Sequence, residues 1–341
     1  MPKINYTYPK RIILLGSGDL MIKIYNWLSN KNINAMIITS PRQLNDKSGF
    51  DINFKNQLIK DNVKYEVFED ISSIESSKKI KDFKPDLSIS FGAAWIFNKK
   101  NIKNLFKNKL LNFHSTRLPT NRGCLNYSWQ ILTANKIGTL IIHEVDDRLD
   151  TGDILFFDEF LYSNKAKIPI DYHKEFNKYA FNFFVDFFVN LKKKKLIKKF
   201  SQLDYLSSYN PRINTEVNGW IDWNMDASQL DKFISAFDDP YKGAHTFLND
   251  KKVYIKKSSV NFQDQIFHSF NRGIVYRNNL KWICIASKNG NLIIEEVLDI
   301  NGKNILKDIK EGDRFQTPTN LSDKSLYRVK YNSKGLIEQN D

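Results

Sequence analysis

Residues 11–19 read RIILLGSGD, and this stretch decides the fold that we predict. The apolar run RIILL predicts a buried β-strand over 11–15. The glycines that follow permit a tight turn, and Asp19 begins an amphipathic segment that predicts a helix over 19–29. A second apolar run, AMIIT, predicts the next strand over 35–39. A strand, a helix and a strand in this order are typical of a parallel sheet covered by helices.

The glycine turn could also be interpreted as part of a dinucleotide-binding site, because a G-x-G-x-x-G motif after a strand binds dinucleotides. Met21 occupies the position of the third glycine, and no acidic residue ends the second predicted strand. Both features are needed to hold a dinucleotide at such a turn. We therefore interpret Gly16-Ser17-Gly18 as a structural turn and expect no nicotinamide cofactor.

Further apolar runs extend the same pattern through the first 200 residues. Strands are predicted over 63–68, 86–91, 110–114, 140–145 and 154–161. An apolar stripe at spacings of three and four then predicts a helix over 171–191. Strands alternating with helical segments indicate an α/β fold with a doubly wound, mostly parallel sheet. Ligands of such sheets bind beyond the carboxyl ends of the strands.

The composition changes after residue 200. Residues 201–218 are rich in Ser, Asn and Pro and have no apolar period, which predicts a linker. Beyond it we predict one helix over 227–237, followed by short strands. These strands are expected over 245–248, 252–255, 282–286 and 291–296. Turns such as Asn289-Gly290 separate them, which favours a small barrel. We therefore predict a catalytic domain over 1–200 and a β-rich, barrel-like domain over 219–341.

The composition also narrows the class of protein. The 341 residues include two cysteines, Cys124 and Cys284, which are far apart. This spacing excludes a zinc ribbon and argues against a disulfide scaffold, so we expect a reducing compartment, the cytoplasm. The most apolar stretch, 181–191, is too short to span a membrane, and the first residues do not resemble a signal peptide.

The formal net charge of +14 could indicate a nucleic-acid partner. The lysines are scattered along the whole chain, however, and the densest run, Lys192–Lys195, follows a predicted helix. Cations at the end of a helix are favoured by its dipole. We therefore do not favour a nucleic-acid partner on the basis of charge, although an anionic partner at this run and an acidic small substrate such as a nucleotide stay open. We expect no membrane partner.

Asn112, His114 and Asp150 are the candidate catalytic residues. Asn112 and His114 stand two residues apart at the end of a predicted strand, so their side chains point to the same side. Asp150 follows in a turn, Asp150-Thr151-Gly152, between two predicted strands. An amide can donate to a developing oxyanion, an imidazole can take the proton of an attacking amine, and a carboxylate can orient the imidazole. A lone histidine is more often structural, but these neighbours favour formyl transfer to an amine.

The segments around these residues resemble the 10-formyltetrahydrofolate-dependent formyltransferases, which include methionyl-tRNA formyltransferase and the sugar N-formyltransferases. The matching motifs in the first half are Asn112-x-His114, Leu118-Pro119-x-x-Arg122-Gly123 and Asp150-Thr151-Gly152-Asp153-Ile154. In the second half they are Gly219-Trp220-Ile221-Asp222-Trp223, residues 234–237 and Pro240-Tyr241-Lys242-Gly243-Ala244. The resemblance covers nearly the whole chain and implies a Rossmann-like catalytic domain followed by the family's small β domain.

The resemblance also implies a co-substrate, 10-formyltetrahydrofolate, and no metal. It implies that the backbone around Phe91-Gly92-Ala93 and the loop before Asp150, which includes Asp147, hold the pterin. Two positions depart from the family pattern. Arg117 replaces an apolar residue and could face the acceptor. The strand before Asp150 lacks the family's Gly and Thr, so we expect a structural role for His143.

Two acceptors compete under this resemblance. The tRNA enzymes carry a basic, glycine-rich loop after the second strand. The equivalent residues 40–49 of this chain contain two basic residues and one acid. Two cations are too few to bind a phosphate backbone tightly. The sugar enzymes are similar to this chain at Tyr209-x-Pro211-Arg212 and Asp239-Pro240-Tyr241. We therefore predict a dTDP- or GDP-linked amino sugar as the acceptor. The residues expected to bind it are Arg117, Arg122 and Trp129.

The product would be an N-formylated sugar for a surface polysaccharide such as lipopolysaccharide. A tRNA acceptor, a hydrolase that releases formate, and a non-catalytic folate-binding relative stay open as alternatives. The β-rich domain could also pair two chains into a homodimer.

Overall fold

The computed structural model describes residues 3–4, 6–47, 52–124, 127–194 and 197–337. Some residues named above lie outside this part of the chain. They are Ser48 and Gly49 of the segment after the second strand, Lys195 of the lysine run, and residues 338–341 of the predicted β-rich domain.

A seven-stranded sheet forms the centre of the first half. The strands up to residue 198 are β1 (Lys3–Ile4), β2 (Arg11–Gly16), β3 (Asn34–Thr39), β4 (Tyr65–Val67), β5 (Leu87–Phe91), β6 (Leu110–His114), β7 (Arg122–Gly123), β8 (Ile137–Glu144), β9 (Ile154–Leu161) and β10 (Ile197–Lys198). The helices are α1 (Asp19–Asn30), α2 (Pro41–Leu44), α3 (Phe54–Lys60), α4 (Ile74–Phe83), α5 (Lys99–Asn104), α6 (Tyr127–Leu132) and α7 (Pro169–Lys192). The sheet order is β4-β3-β2-β5-β6-β8-β9, parallel up to β6 and antiparallel at β8 and β9.

The buried run of β2 explains why helices cover both faces of this sheet. Consecutive residues of a strand point to opposite faces. Ile12 and Leu14 pack with α1 and α7, whereas Ile13 and Leu15 pack with residues of α4 and α5 on the other side. All four are fully buried. The prediction of a doubly wound, mostly parallel sheet is confirmed.

The second half begins with residues that contact the first. The predicted linker contains β11 (Tyr209–Asn210) and α8 (Thr215–Asn218), and β11 pairs in parallel with β7. The later elements are α9 (Ala227–Ala236), β12 (Ala244–Leu248), β13 (Lys251–Asn261), β14 (Val275–Asn278), β15 (Ile283–Ser287), β16 (Gly290–Leu298), β17 (Phe315–Gln316), α10 (Thr319–Lys324), β18 (Lys330–Tyr331) and β19 (Leu336–Ile337).

Six of these strands form an antiparallel sheet in the order β14-β15-β16-β13-β12-β17. Its two edges meet, because the Phe315 amide donates to the Gly273 carbonyl at 2.8 Å and Ile274 forms a bridge with Arg314. The expected barrel-like shape is therefore confirmed. Strand β14 was not predicted, since its sequence VYRN gives too short an apolar run.

Helix α7 is 24 residues long and buries Phe176, Phe183 and Phe187 against the sheet. Across the described residues, we find no helix that combines the length and the apolar character needed to cross a membrane.

Candidate active site

A cavity of about 860 Å³ lies beyond the carboxyl ends of β2, β5 and β6. Both halves of the chain contribute to its walls. The start of α1, the segment after β5 and the end of β6 come from the first half, while Arg212, Tyr241 and Lys242 come from the linker and the β-rich domain. The cavity therefore lies where a doubly wound sheet is expected to bind a ligand.

The structure brings the three predicted catalytic side chains together in this cavity. Asn112 Nδ2 donates to Asp150 Oδ1 at 3.3 Å, and His114 Nδ1 lies 3.9 Å from Asp150 Oδ2. The Gly123 amide donates to the same Oδ2 at 2.9 Å. His114 is 8% exposed, so the cluster is shielded from bulk water. Its charges consequently interact more strongly than surface charges would.

The turn that carries Asp150 is held in place by its own geometry and by the linker. Asp150 has a φ of 53°, in the left-handed region that aspartate tolerates better than most residues. A Cβ at Gly152 would lie 1.9 Å from the Glu144 carbonyl oxygen, so only glycine fits there. Gln202 Nε2 donates to the carbonyls of Asp150 and Gly152 at 2.9 and 2.8 Å. Arg122 in turn donates to Gln202 Oε1 at 3.1 Å.

The hydrogen-bond partners of His114 fix which of its nitrogens can act as a base. Nε2 lies 3.0 Å from the carbonyl oxygen of Asn121, and a carbonyl can only accept, so Nε2 carries the hydrogen. Thr116 Oγ1 lies 2.9 Å from the same nitrogen and donates to the same carbonyl. Nδ1 therefore presents its lone pair on the side of Asp150. A proton captured at Nδ1 would lie beside the carboxylate.

The pKa shifts of Asp150 and His114 are consistent with a charged carboxylate beside a histidine that acts as the base. Burial alone would raise the pKa of Asp150, but attraction to the nearby rings of His114 and His143 and the hydrogen bond from the Gly123 amide together lower it to about 2. Burial lowers the pKa of His114 below its usual value, and this outweighs the opposing attraction of Asp150. Near neutral pH the cluster therefore contains a carboxylate beside a neutral imidazole, which is a base ready to accept a proton.

His143 also lies in this cluster. It pairs with Asn112 in the register of β6 and β8, and its Nε2 lies 3.1 Å from Asn112 Nδ2. Its Nδ1 lies 2.7 Å from the Glu144 carbonyl, so Nδ1 carries the hydrogen and Nε2 accepts from the amide. The expectation of a structural role is thus refined, because His143 orients the Asn112 amide inside the cavity. The strand register, which the sequence does not reveal, was the missing signal.

The donor atoms of His114, His143 and Asp150 lie within 4.8 Å of one another, close enough to hold a metal ion. The lone pair of His143 Nε2 already accepts from Asn112, which favours a hydrogen-bonded cluster over a set of ligands. The absence of a metal stays a prediction.

Part of the cavity lining is apolar. Phe91, Gly92 and Ala93 belong to that lining, and their role in holding the pterin stays a prediction. Ile96 and Leu149 line the same cavity although they are 83% and 48% exposed, so a flat apolar ligand would cover them. Asp147 instead forms an ion pair with Lys99 at 3.2 Å, and its neighbours Asp146 and Arg148 line the cavity.

The three predicted acceptor residues are engaged elsewhere. Arg117 makes a bidentate pair with Glu159 at 2.8 and 2.9 Å, and Arg122 donates to Asp204 at 2.8 Å. Trp129 Nε1 donates to the Pro211 carbonyl at 2.9 Å. Among the described residues that line the cavity, none of the three is present. Each of the three thus has a structural partner in the protein, and acceptor binding by any of them stays a prediction that the cavity lining does not support.

A second polar cluster, which sequence analysis missed, lines the same cavity. Asp19 Oδ1 lies 3.1 Å from His173 Nε2, and Asn177 Nδ2 donates to Asp19 Oδ2 at 2.7 Å. Asp19 is 8% exposed. Burial raises its pKa, but the hydrogen bond and charge of His173 outweigh burial and hold it below the usual value. Asp19 directly follows the glycine turn at the end of β2. An acidic residue at that position could have been recognised in the sequence as a candidate ligand-binding residue.

Known proteins of similar sequence and structure cover almost all of this chain. Methionyl-tRNA formyltransferase of Ruminiclostridium cellulolyticum is 25% identical over 316 residues, which is 91% of this chain and 99% of that protein. A sugar 3N-formyl transferase, WlaRD, solved in the presence of dTDP and 5-N-formyl-THF, has a TM-score of 0.60 at 19% identity and covers 85% of this chain and 98% of its own. The Helicobacter canadensis N-formyltransferase, in complex with folinic acid and dTDP-3-aminofucose, has a TM-score of 0.58 at 19% identity, with coverages of 84% and 98%. This chain has the same fold as these two solved structures.

Family models match both halves of the chain. The formyl transferase model matches residues 10–168, which include the Asn112, His114 and Asp150 cluster. The model of the formyl transferase C-terminal domain matches residues 213–310, which include the barrel strands β12 to β16. The chain therefore belongs to the formyl transferase family, and it is a formyltransferase that carries both of the family's domains.

Proposed function

We propose that this enzyme transfers a formyl group from 10-formyltetrahydrofolate to the amine of a nucleotide-linked amino sugar. The observation that carries the proposal is the position of the Asn112, His114 and Asp150 cluster within one cavity. Phe91 and Ile96 give that cavity apolar surface for a folate, while Asp19 and Arg212 give it charged groups for a polar acceptor.

In the proposed reaction the acceptor amine attacks the formyl carbon, and the carbonyl oxygen becomes negatively charged. The Asn112 amide keeps one hydrogen on His143 Nε2 and turns the other from Asp150 Oδ1 to that oxygen, to which it donates a hydrogen bond. His114 Nδ1 takes the proton that the amine loses, and Asp150 stabilises the resulting imidazolium. The carbon–nitrogen bond to the folate then breaks as the folate nitrogen takes that proton from His114. This leaves the formyl group on the acceptor, releases tetrahydrofolate and returns His114 to its neutral form.

The second polar cluster supports a sugar over a methionyl group. Burying the thioether side chain of methionine against Asp19, His173 and Asn177 would remove water from charged groups and return no hydrogen bond. Sugar hydroxyls can donate to the Asp19 carboxylate and replace that water. The dTDP and dTDP-3-aminofucose that accompany two structural neighbours support the same class of acceptor.

The segment after β3 gives further support. Gln43 is 2% exposed, and its Nε2 donates to Ser17 Oγ and the Gly92 carbonyl at 3.2 and 3.0 Å. The Arg42 side chain is 12% exposed and lies 3.7 Å from Asp46. Arg42 and Gln43 therefore pack into the protein, and Lys47 is the one exposed cation among the described residues of this segment, whereas a loop that grips tRNA must project several cations towards the phosphates.

The sequence relatives named methionyl-tRNA formyltransferase make tRNA the second candidate. The test is to incubate the purified enzyme with 10-formyltetrahydrofolate and, separately, with dTDP- and GDP-linked amino sugars and with methionyl initiator tRNA. Mass spectrometry of each acceptor should detect a formyl adduct on a nucleotide-linked sugar. Formylation of the tRNA alone would refute the proposal.

We further propose that the reaction takes place in the cytoplasm and that its product is used for a surface polysaccharide. Pairing of two chains through the β-rich domain is also a proposal, and light scattering of the purified protein tests it.

A further inference from the structure

The last described residues, 319–337, return from the barrel to the first half of the chain. They lie beyond the part that matches the C-terminal family model, which ends at residue 310. Asn218 Nδ2 donates to the Ser325 carbonyl at 2.6 Å, and the Arg42 amide donates to the Ser333 carbonyl at 3.2 Å. Lys334 Nζ lies 2.9 Å from Glu69 Oε2. This C-terminal segment is therefore fixed to both the linker and the catalytic domain.

Tyr331 is the residue of this segment that lines the cavity. It lies on β18, which forms a hairpin with β19. The hairpin turn is held by Asn332 Oδ1, which accepts from the amides of Lys334 and Gly335 at 2.9 and 3.0 Å. Asn214 Nδ2 donates to the Tyr331 hydroxyl at 2.6 Å. Both ends of the tyrosine side chain are thereby held in one position at the cavity wall.

The ring of Tyr331 packs against the side chain of Arg212. The Arg212 guanidinium lies 4.3 Å from the ring centroid, within the range of a cation–π interaction, and Arg212 also lines the cavity. Arg42 is close enough to Arg212 to be repelled by it, and burial together with this repulsion lowers the pKa of Arg42. Both arginines attract Asp46, which lines the cavity as Arg212 does, so this group contains two cations and one carboxylate. Among the described residues, Arg42 Nε has no hydrogen-bond partner.

We propose that the C-terminal segment completes the acceptor site and that Tyr331 is a specificity-determining residue. It holds the Arg212 guanidinium in the orientation that binds the phosphate groups of the acceptor. Because Tyr331 acts through Arg212, it is a positioning residue and affects binding of the acceptor more than the chemical step. This inference rests on the proposed function, since it assumes an acceptor that carries phosphate.

The test compares the variants Tyr331→Ala and Tyr331→Phe with Tyr327→Ala, a control in the same segment whose side chain is 56% exposed. Isothermal titration calorimetry with dTDP, or with GDP if dTDP does not bind, and with folinic acid separates acceptor binding from folate binding. We expect Tyr331→Ala to weaken dTDP binding by about tenfold, the loss of roughly one cation–π contact, and to leave folinic acid binding within about twofold. Tyr331→Phe keeps the ring and should recover most of the affinity, and Tyr327→Ala should behave as the wild-type protein.

Steady-state kinetics provide the second readout. In Tyr331→Ala we expect KM for the acceptor to rise by about the same factor while kcat changes by less than about twofold. Wild-type dTDP affinity in Tyr331→Ala, or an equal loss of dTDP and folinic acid binding, would overturn the role of Tyr331. If the wild-type enzyme binds neither dTDP nor GDP, the nucleotide-linked acceptor is refuted and this inference is refuted with it.

Discussion

Replacing Asp150 with asparagine removes a negative charge 3.9 Å from His114 Nδ1 and keeps the size of the side chain. In the proposed reaction this charge stabilises the imidazolium that forms when His114 accepts a proton. With an effective dielectric constant of about 20, two unit charges at that distance attract by about 4 kcal/mol. A barrier higher by this amount slows the chemical step by about a thousandfold. We therefore expect kcat of Asp150→Asn to fall by about that factor.

The pH profile gives an independent check of the same substitution. Asp150 raises the pKa of His114, whereas burial lowers it. Without the carboxylate, the pKa of His114 should fall further, because the charged imidazolium loses its partner. The acidic limb of the kcat profile reports the base of the bound complex, so it should move to lower pH.

The assay measures kcat between pH 5 and 9 with an acceptor that the wild-type enzyme formylates, together with folinic acid affinity and thermal stability. We expect folinic acid affinity within about tenfold of wild type, since the charge acts mainly in the transition state. A fall in kcat of less than about tenfold, or an acidic limb that does not move, would refute the assigned role of Asp150.

Three other predictions address the base, the metal and the barrel. His114→Asn should abolish formyl transfer and leave folinic acid affinity within about tenfold, and retained turnover would contradict the mechanism. Dialysis against EDTA should leave kcat unchanged, whereas a loss restored by a divalent ion would assign the His114, His143 and Asp150 cluster to a metal. Burial lowers the pKa of His245 in the barrel from 6.5 to about 4. As pH falls from 6.5 to 4 the unfolded chain therefore binds a proton that the folded chain excludes, which should reduce the free energy of unfolding by up to about 3 kcal/mol. Urea denaturation measures this slope, and His245→Phe should lack it.

Local sequence patterns predicted the parts of this structure that local physics determines. The apolar run over residues 110–114 predicted the bounds of β6 correctly. The uninterrupted apolar run over residues 11–15 predicted a strand buried on both faces, and therefore a sheet covered by helices on both sides. The cluster of Asn112, His114 and Asp150 could be predicted because two of its members share one strand and the third stands in a turn marked by Gly152.

The tertiary partners of the cations near the active site could not be predicted in the same way. Arg117 and Arg122 are cations beside the active-site loop, but their carboxylate partners, Glu159 and Asp204, are more than forty residues away in sequence. No local pattern reveals which partner a cation finds. Arg212 and Tyr331 meet only because the chain returns from the barrel, a tertiary event that no motif encodes.

The contacts between the linker and the Asp150 turn have a consequence for protein engineering. Gln202 holds two carbonyls of that turn, and β11 pairs with β7 beside the catalytic loop. A chimera in which the barrel comes from another relative would lose these contacts if the junction were placed at residue 200, although all three catalytic residues would be kept. A junction after residue 218 leaves them intact, so the crossover point decides whether such a hybrid enzyme works.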